Sequence, residues 1–192
     1  TFAGGGESGR IQKIDWDSKI LWDFELANEE EHHHQDFAVM PNGNVLAIAW
    51  EAWSVNGAIA AGRNPDQIPH AGLWPDKIVE IEPHGRMQGK VIWEWHMLDH
   101  MIQDYDPQKP GYGIPKDHPE LLDINIGRQP PPQITQDSMD ILQAKGGQWR
   151  NRTAYNRGSD LHHLNAINYN ATLDQIVFSS PVLSEIFIID HS

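Results

Sequence analysis

Short apolar runs broken by turn residues dominate the chain, and no long amphipathic helical period runs through it. The stretch Ile11 to Phe24 predicts two short strands around a turn at Asp17-Ser18. Val39 to Trp50 predicts a hairpin folded at Pro41-Asn42-Gly43-Asn44, because Asn and Gly tolerate the positive φ of a tight turn. Lys77 to Glu82 and Lys90 to Trp95 form a third pair across Pro83-His84-Gly85. Gln175 to Ser179 and Glu185 to Asp190 form a fourth across Pro181. The best helical candidate is the two-turn stretch Ser138 to Ala144. The pattern is that of an all-β chain of hairpins, a weak repeat lengthened by insertions.

Two units within that pattern carry the candidate chemistry. His34-Gln35-Asp36-Phe37 precedes the turn at 41–44, and His163-Leu164-Asn165-Ala166-Ile167 precedes Asn170-Ala171-Thr172. Residues i and i+2 of a strand share a face, so Asp36 is expected to orient His34, and Asn165 to orient His163. An apolar segment with Ile-Asp or Ile-Glu recurs near these units: Ile14-Asp15, Ile81-Glu82 and Ile189-Asp190. His32 and His33 read as solvated flanks or as the result of a one-residue slip of register, with His162 the corresponding alternative to His163. His96 and His100 leave a strand for a loop, and their i, i+4 spacing suits a metal only on a helix, so packing and hydrogen bonding there are favoured. Asp104, Asp106, Asp117 and Glu120 lack the spacing of a calcium loop and read as a solvated acidic segment. Tyr105, Tyr112 and Trp149 either line an aryl pocket or pin loops.

Two long loops interrupt the strands. Residues 54–76 are rich in Gly, Ala, Asn and Pro, and residues 104–160 carry Pro107, Pro110, Pro115, Pro119 and Pro130-Pro131-Pro132. Loops of this length are usually functional or disordered. The 192 residues suffice for one domain with a real core. A net charge of −13 argues against nucleic acid as a partner, and any anionic substrate needs a local positive field at its site. The absence of cysteine excludes disulfides, thiolate metal sites and Cys nucleophiles. No run approaches the ~20 apolar residues of a membrane helix. The lack of an initiator Met, and an end directly after a strand, lead to the expectation of a processed or partial chain. The sequons Asn151-Arg152-Thr153 and Asn170-Ala171-Thr172 carry little weight.

The ordered segments Gly9–Asp17, Ala27–Phe37, Met40–Glu51, Leu73–Ile78, Val91–Asp104, His118–Asn125, His163–Asn170, Leu173–Ser180 and Ser184–Ser192 together resemble the arylsulfotransferase (aryl sulfate sulfotransferase) family of β-propellers. The resemblance covers about three quarters of the chain and leaves out 128–159. It implies a six-bladed propeller in which histidines and an arginine converge in a central funnel. It also implies PAPS-independent sulfuryl transfer from a phenolic sulfate ester to a phenol, with no cofactor, in a periplasmic or extracellular protein. On that reading 1–192 is a single propeller segment: a half blade at 1–24, a blade at 32–95 with its loop at 54–76, a long loop insertion at 96–160 and a partial blade at 161–192. The remaining blades are then expected from missing chain or a partner.

Carried onto this sequence, the resemblance makes His34 and His163 the funnel histidines, with Asp36, Asn165, His96 and His100 in support. Gln35 stands where the family often has a second histidine, and Pro181 in Ser179-Ser180-Pro181 stands at the arginine position. The family's nucleophilic histidine is expected beyond Ser192. Two other functions remain open at this level. One is a non-catalytic propeller that binds a protein, glycan or small ligand, which Pro181 and the 128–159 segment favour. The other is a histidine-rich metal module, which needs several of these imidazoles to converge.

Overall fold

The computed structural model describes residues 2, 4–126 and 158–192. The expected helix at 138–144, the Pro130–Pro132 run, Trp149 and the sequon at Asn151 lie outside the described residues. The chain divides into two compact units.

One unit comprises Gly5–Glu51, Asp76–His96 and His163–Ser192. Strands β1 (Arg10–Ile14) and β2 (Ile20–Glu25) form the first hairpin. Strands β3 (Glu31–Val39), β4 (Val45–Glu51), β5 (Asp76–His84) and β6 (Gln88–His96) form an antiparallel sheet in that order. Strand β4 reads Val-Leu-Ala-Ile-Ala-Trp before its final Glu51, and all six apolar residues are buried. A central strand covered on both faces requires that continuous apolar run. Val45, Ala47 and Ala49 pack with Val79 and Ile81 of β5 against Ile11 and Trp22 of the β1–β2 hairpin. The indole N–H of Trp22 donates to the Gln88 carbonyl at 2.9 Å and so ties the hairpin to β6.

The other unit comprises Thr1–Gly4, Ala52–Pro75 and Met97–His162. Its helix α1 (Val55–Ala60) is capped by the Ser54 side chain, which accepts from the Gly57 N–H. The Gly- and Ala-rich composition of 54–76 concealed this helix, because its signal is one cap and six residues. Strands β7 (Met101–Ile102) and β8 (Leu122–Asp123) pair in parallel. Arg63 is buried in this unit and donates to the carbonyls of Ile124 and Ile126, and burial pushes its pKa down to about 10.

Strands β9 (Ala166–Asn170), β10 (Gln175–Ser180) and β11 (Glu185–Asp190) complete the first unit as a separate antiparallel sheet. Ile176, Phe178 and Ser180 of β10 point inward in strict alternation. The expected β-propeller is not found. The sheets are open, and among the described residues only one has four strands. Closing a ring needs at least about four such blades around an axis, so no central funnel forms among these residues. The all-β character holds, with α1 and a few 3-10 turns as the only helical pieces described. No described helix is long and apolar enough to cross a membrane.

Candidate active site

The site begins with an irregularity in β3. His33 pairs with Ala49 and Phe37 with Ala47, so His34, Gln35 and Asp36 together stand opposite the single residue Ile48. Gln35 takes a positive φ of 58° to absorb the extra length. The Ile48 carbonyl, which loses its ladder partner there, accepts from His33 Nδ1 at 2.8 Å. A bulge of this kind re-aims side chains, and it cancels the i, i+2 rule on which the Asp36 expectation rested.

His34 lies flat on the Trp50 indole, with ring centres 3.9 Å apart and an 8° interplanar angle. Asp76, the first residue of β5, is the cross-strand partner of Trp50. From there its Oδ1 accepts from His34 Nε2 at 2.7 Å, and both side chains are fully buried. The residue that orients His34 is therefore Asp76 and not Asp36. Asp36 instead accepts from its neighbour Phe37 N–H and, through Oδ2, from the Ile167 N–H at 3.1 Å, joining β3 to β9. His34 Nδ1 is buried and has no hydrogen-bond partner among the described residues.

His163 precedes β9 in a left-handed backbone conformation, φ 54°. Its ring centre is 5.7 Å from that of His34 and 6.3 Å from Trp50. Gln35 Nε2 donates to its Nε2 at 3.0 Å. Asn165 is exposed, and its backbone N–H donates to the Ser179 carbonyl, so it does not orient His163. Pro181 lies exposed in the turn between β10 and β11. The structure thus places His34 beside His163, with Asp76, Gln35 and Trp50 around them. No local spacing could reveal Asp76, because it reaches His34 only through β-pairing 42 residues away.

The other candidates lie elsewhere. His96 Nδ1 meets Glu51 at 3.0 Å and its Nε2 meets Glu94 at 3.3 Å. Glu94 also pairs with Lys77, which Glu31 holds from the other side at 2.6 Å. Burial works against the Lys77 charge, but hydrogen bonds to these two carboxylates outweigh it and raise the pKa. His100 is half-buried in a 3-10 turn of the other unit. His33 is buried and not a solvated flank, and burial lowers the pKa of both His32 and His33. Tyr105 and Tyr112 are mostly exposed. Among the described residues no three His, Asp or Glu side chains are grouped to hold a metal ion.

His162, the alternative to His163, belongs to the other unit and is fully buried, which pushes its pKa down to about 3. Arg63 adds to the shift and Asp160 opposes it. The unfolded chain binds a proton at this residue near pH 6.5, whereas the folded chain does not until about pH 3. Stability therefore falls as pH drops from about 6.5 toward 3, by up to about 1.4 kcal/mol per pH unit from this residue. Urea unfolding followed at several pH values is expected to show that slope, and His162→Phe is expected to flatten it.

A family model described as Arylsulfotransferase (ASST) matches residues 5–192. The match runs through 128–159, so the expected exclusion of that segment and the expected partial coverage are both overturned. With them goes the ground for expecting blades from a missing chain or a partner. No curated protein and no solved structure matches the chain.

Proposed function

The chain belongs to the arylsulfotransferase family, whose general activity is PAPS-independent sulfuryl transfer, and on that premise we propose that His34 and His163 carry the transfer here. The observation behind this reading is the buried His34–Asp76 pair with a second imidazole 5.7 Å from the first, ring centre to ring centre.

Transfer breaks the bond between sulfur and the donor's phenolic oxygen and forms one to the acceptor's. By analogy with phosphoryl transfer, the transition state is loose, with negative charge spread over three equatorial oxygens, so donors fixed beforehand lower the barrier most. The acceptor phenol must also lose its proton, and the departing phenolate must be stabilised. Imidazole suits both tasks near neutral pH.

Both residues are buried, His163 6% exposed and His34 0%. In this reading His163 meets the sulfuryl oxygens and His34 takes the acceptor's proton. Asp76 keeps the His34 proton on Nε2 and stabilises the imidazolium as it forms, the role a buried carboxylate plays behind a catalytic histidine. Pro181 brings neither charge nor donor, so in this reading the sulfuryl oxygens are met by hydrogen-bond donors and not by an arginine at that position.

The test is release of 4-nitrophenol from 4-nitrophenyl sulfate with and without phenol. Release that phenol stimulates, and that falls at least about 10²-fold in His163→Ala and in His34→Ala, supports the assignment. Equal rates in the wild type and in both variants contradict it.

A further inference from the structure

We propose that Gln35 is a positioning residue that holds His163 in the tautomer opposite to that of His34. The consequence for transfer rests on the role given to His163 above, whereas the tautomer itself rests on geometry alone.

A carboxylate only accepts hydrogen bonds, so His34 Nε2, 2.7 Å from Asp76 Oδ1, is a donor. In the neutral ring this leaves the lone pair of His34 on Nδ1. The nitrogen of a primary amide only donates, so His163 Nε2, 3.0 Å from Gln35 Nε2, is an acceptor. The His163 proton then sits on Nδ1. Two histidines with facing roles therefore carry opposite proton arrangements, one imposed by a carboxylate and the other by an amide.

The backbone around this contact is unusual in a way that points to the same pair. Five described residues other than glycine have positive φ. Ser18, Asp174 and Ser184 sit in the turns that close hairpins β1–β2, β9–β10 and β10–β11. Gln35 and His163 do not sit in hairpin turns, and they hydrogen-bond to each other. Strain of this kind persists where the surroundings over-determine it. Here the surroundings include Gly6, whose carbonyl accepts from the Gln35 N–H at 2.8 Å. A Cβ on Gly6 would lie 2.2 Å from Gln35 Cδ, so only glycine leaves room for the amide. Gly5 stands next to the His163 ring, where a Cβ would come within 3.6 Å of Cε1.

The chemical result is a division of labour. With its Nε2 lone pair engaged by Gln35, His163 carries its N–H at Nδ1, while His34 retains the lone pair that accepts a proton. A histidine in place of Gln35 presents a lone pair as readily as an N–H and imposes no such choice. The Gln35 amide does so as it is placed here, with its Nε2 and not its Oε1 toward His163.

The experiment is two-bond 15N–1H correlation spectroscopy on the full chain with 15N-labelled histidine, recorded where the imidazoles are neutral. The His163 signals are assigned by their loss in His163→Gln. The wild type is expected to show the proton of His163 on Nδ1 and that of His34 on Nε2. Gln35→Glu, which turns the donor into an acceptor, is expected to move the His163 proton to Nε2 and lower kcat about 10²-fold. Gln35→Met keeps the length of the side chain without its hydrogen bond. It is expected to leave the His34 signals in place while His163 populates both tautomers. A wild-type His163 protonated on Nε2, or a Gln35→Glu protein with an unchanged His163 spectrum, overturns the proposal. Finding the expected tautomers in a protein that transfers no sulfuryl group supports the positioning role and overturns the catalytic one.

Discussion

Asp76→Asn is expected to lower kcat for sulfuryl transfer by about 10²–10⁴-fold, with the KM for the aryl sulfate changed less than about threefold. The substitution keeps the size of the side chain and its place opposite Trp50. It replaces an acceptor-only group with one that can present an N–H to His34 Nε2. His34 would then carry its proton on Nδ1 and lose the lone pair that takes the acceptor's proton. The carboxylate that stabilises the developing imidazolium disappears as well. Steady-state kinetics, with circular dichroism as a control of folding, measures the effect. Because Asp76 and His34 are both fully buried, solvent cannot screen or replace the contact. A kcat within a few-fold of the wild type would mean that the His34 tautomer does not matter to the reaction.

Trp50→Ala is expected to cost about 3–5 kcal/mol of stability, the range for emptying an aromatic site in a packed core. Trp50 is 0% exposed in the central strand of the sheet, and His34 stacks on it at 3.9 Å. Removing the indole leaves a cavity and takes away the surface that holds His34 flat, so activity is expected to fall with stability. Trp50→Phe keeps an aromatic face under His34 and is expected to cost less. Urea denaturation should show a lower midpoint at a similar slope. A Trp50→Ala loss below about 1 kcal/mol would show that the strand repacks around the gap, contrary to the close packing of protein interiors.

The hairpins were legible in the sequence because each rests on local chemistry. Pro41-Asn42-Gly43-Asn44 specifies its turn, and the unbroken apolar run of β4 marks a buried central strand. His34 and His163 were singled out by their recurrence and by the family resemblance. Their partners were not, for two different reasons. Asp76 meets His34 through strand pairing across 42 residues, which no local spacing encodes. Gln35 stands inside a bulge, where the period-2 rule that selected Asp36 no longer applies, and His163 and Asn165 lie ahead of β9, outside any strand to which that rule applies. Helix α1 was hidden in a Gly- and Ala-rich stretch that shows one cap and no period. The propeller expectation came from the family resemblance, and it failed because hairpins specify sheets, whereas ring closure depends on how many sheets pack about an axis.

The most direct test of the central claim follows the product. The full chain is incubated with 4-nitrophenyl sulfate and phenol, and phenyl sulfate is quantified by mass spectrometry for the wild type, His163→Ala and Asp76→Asn. Phenyl sulfate forming in step with 4-nitrophenol in the wild type, and at least about 10²-fold more slowly in both variants, is the predicted result. Phenyl sulfate formed at the wild-type rate by both variants would contradict the assignment of transfer to this site.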